Sequence, residues 1–186
     1  NKIIPKTKLI CKFCKKCLHL QLSKTLSNQY RYNEFKYSYR SSNSSIAKKY
    51  WNDYSKYVKK IKAYKKNNIL EIGSNDGYLL QKFKKNKVNL YAYEISKEMH
   101  LGLKKLGIKS KNFAFEEIPQ YDIKKQIDKY DIIICNNVLN HISNLNTFFT
   151  NIKKILSKEG YFILEVPYSK WMLDRNRFEI IYLEHI

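Results

Sequence analysis

No apolar run in this 186-residue chain approaches the length of a membrane span, and its first residues are broken by lysine and lack a signal-type apolar core. Neither a spanning helix nor a secretory leader is therefore expected. Cysteine is thin: there are four, with three between positions 11 and 17. That is no disulfide framework, and it fits a reducing cytoplasm. Arginine, the side chain suited to bidentate phosphate recognition, is confined to Arg31, Arg40, Arg175 and Arg177. The formal charge of +20 comes instead from lysines spread along the whole chain. Such a charge would ordinarily suggest nucleic acid. Here glycine, proline and alanine are thin while Asn, Ile and Tyr abound, so the lysines read as compositional bias and a nucleic-acid partner is not expected.

What is present centres on one stretch, Ile69-Leu-Glu-Ile-Gly-Ser-Asn-Asp-Gly-Tyr-Leu-Leu80. An apolar run ends in Gly73, a small polar turn (Ser74, Asn75, Asp76) follows, Gly77 closes it, and a helical apolar pattern begins. This is how a buried strand feeds a helix across a nucleotide-binding turn. Without a Cβ, Gly73 and Gly77 let the backbone turn sharply and lie close to a ligand, and Asp76 is placed to cap the helix. Glu71 lies within the strand. The next apolar run, Val88-Asn-Leu-Tyr-Ala-Tyr-Glu94, ends in an acid at about the interval where a carboxylate takes ribose hydroxyls. The turn has one glycine fewer than G-x-G-x-x-G and carries Asp76 where a pyrophosphate would sit. A ligand with a ribose and no phosphate fits better, and S-adenosylmethionine is the candidate.

The alternation continues. Strands are expected at 69–73, 88–94, near 112–116, 130–135 and 161–166, the last preceded by Gly160, with helices around 77–85, 97–106 and 145–156. Solid apolar strands alternating with amphipathic helices predict an α/β fold, a Rossmann-like parallel sheet with helices on both faces. Cys135, in the fourth strand, reads as inert core. Ligands bind beyond the carboxyl ends of such strands. There lie Asn136, Asn137 and His141 after the fourth strand, and Glu165-Val-Pro167-Tyr168 after the fifth. His141 reads as either a pocket residue or a satisfied polar one. The closing Tyr182-Leu-Glu184-His185 puts a phenol, a carboxylate and an imidazole together, where His185 could act as a base.

Residues 46–186 form the main domain on this reading. A helix over 46–64 covers its entrance, and its tyrosine stripe is expected to pack. Residues 1–45 are a lead with a knot, Cys11-Lys-Phe-Cys14-Lys-Lys-Cys17-Leu-His19, ending in a serine-rich linker around Tyr39. Each C-x2-C has zinc-knuckle spacing, yet a closed site needs four ligands. Cys11, Cys14, Cys17 and His19 would make a cramped set, an iron–sulfur site lacks its fourth cysteine because Gln21 stands there, and unliganded thiols are the remaining reading.

Taken in order, Leu70–Gly77, Asn137–His141, Glu165–Tyr168 and Tyr182–His185 resemble the sugar C-methyltransferases, enzymes acting on nucleotide-linked keto-deoxysugars. Cys14–Leu22 looks like the second knuckle of that family's zinc module, and Tyr37–Ser42 like its linker. The resemblance implies methyl transfer from S-adenosylmethionine to a carbon beside a sugar ketone. His185 would be the base, Glu184 and Tyr182 would orient it or the sugar, and His141 and Tyr39 would line the acceptor pocket. It implies, too, that a first knuckle lies upstream of Asn1, and that two more strands and a further domain follow Ile186. Leu183 stands where the family carries a histidine. An RNA or other small-molecule methyltransferase and a non-catalytic fragment are the competing readings.

Overall fold

The computed structural model describes residues 8–17, 19–27, 31–32, 39–61, 68–84, 88–176 and 181. Five parallel strands form the central sheet: β3 (Asn68–Ile72), β4 (Asn89–Tyr93), β5 (Lys109–Lys111), β6 (Tyr130–Asn136) and β7 (Leu156–Glu165). Their order is β5-β4-β3-β6-β7. The chain moves outward from β3 in one direction, then crosses to β6 on the other side, so the switch point lies between β3 and β6, where ligands of doubly wound sheets bind.

Alternation on the strands decides the two cores. Ile69, Ile132 and Ile134 join Trp51 and Val58 of α1 (Ser45–Lys59), Leu79 and Leu80 of α2 (Tyr78–Gln81) and Leu103 of α3 (Lys97–Lys105) on one face. Leu70, Ile72, Ile133 and Cys135 meet Ile123 of α4 (Gln120–Lys124) and Phe148, Ile152 and Ile155 of α5 (Leu145–Ile155) on the other. Buried on both sides, the central strands read as continuous apolar runs. Helix α1 starts where Ser44 Oγ accepts from Ala47 N at 3.0 Å, and α5 where Asn144 Oδ1 accepts from Thr147 N at 2.9 Å. A short helix, α6 (Ser169–Asp174), follows β7.

Three expectations are corrected. The third strand is Lys109–Lys111, not 112–116. Phe113 to Glu117 turn off the sheet, and a 3-10 turn over Phe115–Glu117 buries Phe115 in the second core. The last strand begins at Leu156 and runs through Gly160, with a register irregularity opposite Tyr130–Ile132. A Cβ on Gly160 would stand 2.9 Å from the Ser157 carbonyl oxygen, which is why a glycine occupies that bend. The helix after the glycine turn is shorter than 77–85, spanning Tyr78–Gln81.

In the lead, β1 (Cys11–Phe13) and β2 (Leu20–Leu22) form an antiparallel hairpin. Its turn carries Cys14 and Cys17, with Cys14 N donating to the His19 carbonyl at 2.9 Å. No described helix is long and apolar enough to cross a membrane.

Candidate functional site

The turn between β3 and α2 is built by two left-handed glycines. Gly73 has φ +68° and a Cβ there would sit 2.3 Å from Val138 Cγ2; Gly77 has φ +74° and its Cβ would meet Leu103 Cδ2 at 2.7 Å. The space each glycine leaves is therefore taken by protein. The loop after β6 closes on Gly73, and α3 closes on Gly77. Asn75, also left-handed at φ 51°, lies between them. Asp76 Oδ1 accepts from Tyr78 N at 3.1 Å, holding the turn from one position before the cap, which is Gly77 itself.

Glu94 closes onto this turn. Its Oε2 accepts from Asn75 N and its Oε1 from Ser96 N, both at 2.8 Å. The carboxylate expected to face a ribose thus fixes the glycine turn, and each oxygen has a further lone pair beyond these two bonds. Burial raises its pKa, while the Ser96 and Asn75 amides pull it back. Glu71 is fully buried on β3, and burial, then Glu94, then Asp76, push its pKa well above the usual range. One of its oxygens, Oε2, has no hydrogen-bond partner. Three acids thus gather in a chain with 36 basic residues and 16 acidic ones, and among the described residues none of the three has an ion-pair partner. Such a cluster is matched by a cation with hydroxyl donors.

The linker folds over the same turn, which the sequence did not disclose. Ser41 N donates to Asn75 Oδ1 at 3.0 Å. Ser42 donates to Asp76 Oδ2 through its N at 3.1 Å and its Oγ at 2.6 Å. Asn75 Nδ2 donates to the Tyr39 carbonyl at 3.1 Å, and Arg40 pairs with Glu98 on α3. Tyr39 itself is exposed, and burial of part of its phenol, then Asp76 and Glu165, raise its pKa.

A second network joins α1 to the ends of β6 and β7. Tyr54 OH donates to Asn136 Oδ1 at 3.0 Å, Tyr50 OH donates to Glu165, and Asn137 Nδ2 donates to Glu165 Oε1 at 2.8 Å. Two tyrosines expected only to pack therefore use their hydroxyls to fix the rim. Their spacing of four on α1 is the signal that would have found them. Asn136 Nδ2 remains buried without a partner.

His141 ends a 3-10 turn, Leu139–His141, and is half-buried. With Gly73, Tyr93, Ile95, Phe113 and Val138 it lines a narrow, mostly apolar cleft of about 50 Å³ at the carboxyl ends of β3 and β4. Tyr32 meets its ring edge-on at 6.2 Å, and Asn140 Nδ2 lies 3.3 Å from its Nε2.

Two groups of expected residues stand apart. Tyr182, Glu184 and His185 lie outside the described residues. Cys11, Cys14 and Cys17 are exposed, with Cys11 on β1 and the other two in the turn. Among the described residues no three His, Cys, Asp or Glu side chains gather to hold a metal ion. The pair Cys14 and Cys17 does meet. The Cys17 backbone, the Cys17 side chain and the Lys16 backbone, by hydrogen bonding, lower the Cys14 pKa. Cys135 is buried, its thiol pushed up to about 12 by burial, as an inert core cysteine should be.

Residues 46–186 match the family described as "Methyltransferase domain". Among solved structures, the chain is similar to the CurJ carbon methyltransferase, with 18% identity and a TM-score of 0.57 over 77% of this chain and 41% of that one. It is similar to the PH0226 protein from Pyrococcus horikoshii OT3, with 15% identity and a TM-score of 0.62 over 75% of this chain and 67% of that one. A SAM-dependent methyltransferase from Archaeoglobus fulgidus gives 16% identity and a TM-score of 0.59 over 75% of this chain and 60% of that one. The chain thus spans under two thirds of the length of the first and the last. At these identities the likeness establishes the fold. Among curated proteins no sequence matches.

Proposed function

The chain belongs to the methyltransferase-domain family, and from that premise we propose that it binds S-adenosylmethionine at the glycine turn and transfers its methyl group to carbon. The observation that carries the first half is the acid cluster. Glu71, Asp76 and Glu94 meet at the carboxyl ends of β3 and β4, and among the described residues none of them pairs with a cation. S-adenosylmethionine brings an ammonium, a sulfonium and two ribose hydroxyls. The free lone pairs of Glu94 would accept the hydroxyls, Asp76 would offset the positive charge, joined by Glu71 as the cation draws off its proton, and Ser74, Asn136 and Asn137 would complete the polar edge. The apolar cleft beside Gly73 suits a flat base, entering past the exposed Phe113.

Bound there, the cofactor would supply a methyl group made electrophilic by its sulfonium. For the acceptor, the ordered motifs that resemble the sugar C-methyltransferases support a nucleotide-linked keto-deoxysugar. On this reading His185 removes the proton beside the ketone, Glu184 stabilises the imidazolium, and Tyr182, Tyr39 and His141 hold the enolate. A neutral imidazole near pH 7 can accept that proton, and fixed polar groups lower the cost of the enolate charge. The same resemblance supports a reducing cytoplasm as the setting, and Cys14 and Cys17, with Cys11, would be the thiolates offered to a structural zinc.

Calorimetric titration of S-adenosylmethionine tests the premise, with binding by the unchanged chain as the expected outcome. A folded chain that takes up no cofactor overturns it. For the acceptor, solvent deuterium should enter the carbon beside the ketone of a nucleotide-linked keto-sugar only while His185 is present. Exchange that survives His185→Ala would remove that residue as the base.

A further inference from the structure

A larger recess lies on the same face of the sheet, over the β4–β5 edge. It has a volume of about 280 Å³ and is walled by β4, β5, α4 with its following turn, and the start of β6. It shares Tyr93 with the narrow cleft but extends toward Tyr91 and Lys109, away from the glycine turn. Parallel pairing puts Tyr91 opposite Lys109 and Tyr93 opposite Lys111, so these four side chains share one face.

Four lysines line it, Lys109, Lys111, Lys125 and Lys129, against one carboxylate, Asp122, with Lys125 Nζ standing 5.5 Å from the Tyr121 ring. Asp122 is taken by Lys111 at 2.7 Å. Two of the remaining ammonium groups crowd one ring: Lys129 Nζ stands 4.2 Å and Lys109 Nζ 5.4 Å from the Tyr91 centroid. Lys129 Nζ is also 5.2 Å from the Tyr130 ring. The floor is fixed by buried Gln126, which donates to Tyr93 OH at 2.8 Å and accepts from Tyr130 OH. A solvated lysine face would let its ammonium groups spread into water. Here burial, then Lys109 and Lys111, lower the Lys129 pKa, so the like charges are held close enough to oppose one another. An anion would relieve that opposition.

We infer that this recess is a second binding site, distinct from the methyl-transfer site, for a small phosphorylated ligand carrying at least two negative charges. The geometry favours a small ligand over a polymer. The recess is bounded on both sides by α4 and the strand edge, and its volume is near the lower end of small-molecule sites. Lysine acts as a point charge toward phosphate and needs no bidentate geometry, so arginine's scarcity does not count against the site.

The probe is inorganic pyrophosphate, titrated calorimetrically into the whole chain at low salt. One site is expected. In Lys109→Met with Lys129→Met, which keeps the apolar stems on Tyr91, affinity should fall at least tenfold. In Lys48→Met with Lys49→Met, which removes the same charge from exposed positions on α1, it should stay within twofold. S-adenosylmethionine affinity, measured on every variant, should be unchanged and reports that the sheet is folded. Equal affinity in the recess variant overturns the inference, as does an equal loss in the α1 variant, which would show attraction to net charge. Tighter binding of a single-stranded RNA that displaces pyrophosphate would also overturn it, in favour of a nucleic-acid surface.

Discussion

The two recesses of this sheet differ in sign. At the carboxyl ends of β3 and β4, Glu71, Asp76 and Glu94 gather, none of them in an ion pair among the described residues. Over the β4–β5 edge, four lysines line a recess with one acid among them, two of them against Tyr91. The acidic rim is densely bonded, since Glu94, Asn75, Asp76, Ser41 and Ser42 all satisfy one another. The basic recess has a floor bonded through Gln126, but among the described residues its lysines make one ion pair, Lys111 with Asp122. A rim whose backbone is locked before a ligand arrives offers preorganised recognition, while a recess of ammonium point charges offers charge with little directional geometry. The rim should therefore discriminate by shape, and the basic recess by charge and salt.

The strongest way to break this contrast is Glu94→Ala. It removes the acceptors of the Asn75 and Ser96 amides together with those expected for the ribose. Charge-assisted hydrogen bonds contribute about 1.5–3 kcal/mol each, so S-adenosylmethionine affinity should fall by two orders of magnitude or more. Pyrophosphate should bind that variant as before. If both ligands are lost, the two recesses are not independent.

Glycine substitution sharpens the structural side of the comparison. Gly73→Ala meets both a left-handed φ and Val138, whereas Gly107→Ala meets a φ of +74° with nothing within 4 Å. The conformational cost alone is about 1–2 kcal/mol, and forcing Val138 aside adds about 1–3 kcal/mol. Thermal unfolding should therefore drop roughly twice as far in Gly73→Ala as in Gly107→Ala, and an equal drop would remove Val138 from the account.

Glu71 carries a cost that can be read with pH. Burial, and then Glu94 and Asp76, hold its carboxyl above the ordinary value, so the folded chain keeps a proton that the unfolded chain releases. Stability contributed by this group should fall as pH rises from the ordinary carboxylate range to the raised value, and stay lost above it. Glu71→Gln should flatten that profile and raise stability at neutral pH by on the order of 1 kcal/mol, about 2–4 °C in a domain of this size. The same variant should weaken S-adenosylmethionine binding. Stabilisation at neutral pH with unchanged cofactor affinity would remove Glu71 from the site.

Much of this rim was legible in the sequence because apolar strands and left-handed turns leave strong marks. Ile69–Ile72, Ile132–Cys135 and the pair Gly73 and Gly77 could hardly be read another way. The edge strand was not legible. Lys109-Ser-Lys111 has no apolar signal, and the neighbouring Phe113-Ala-Phe115 drew the assignment to residues that fold over the sheet instead. The linker's role was hidden for a different reason. Ser41 and Ser42 act largely through backbone amides, which any residue possesses. The basic recess was hidden by abundance, because Lys109, Lys111, Lys125 and Lys129 look like every other lysine until β5 and the turn after α4 bring them together.

Salt gives the gentlest separation of the two recesses. Raising ionic strength from about 0.05 to about 0.2 M shortens the screening length to well under 10 Å. A ligand held by several partly exposed ammonium groups feels that change at every contact, and Lys109 and Lys125 are exposed. Pyrophosphate affinity should fall about threefold to tenfold. S-adenosylmethionine carries only one net charge, and the carboxylates proposed to meet it, Glu71 and Glu94, are themselves buried, so screening should reach it weakly and its affinity should move by less than twofold. Equal salt sensitivity would mean that the rim binds by net charge after all, and that the bonded turn around Glu94 contributes shape to the fold but not to recognition.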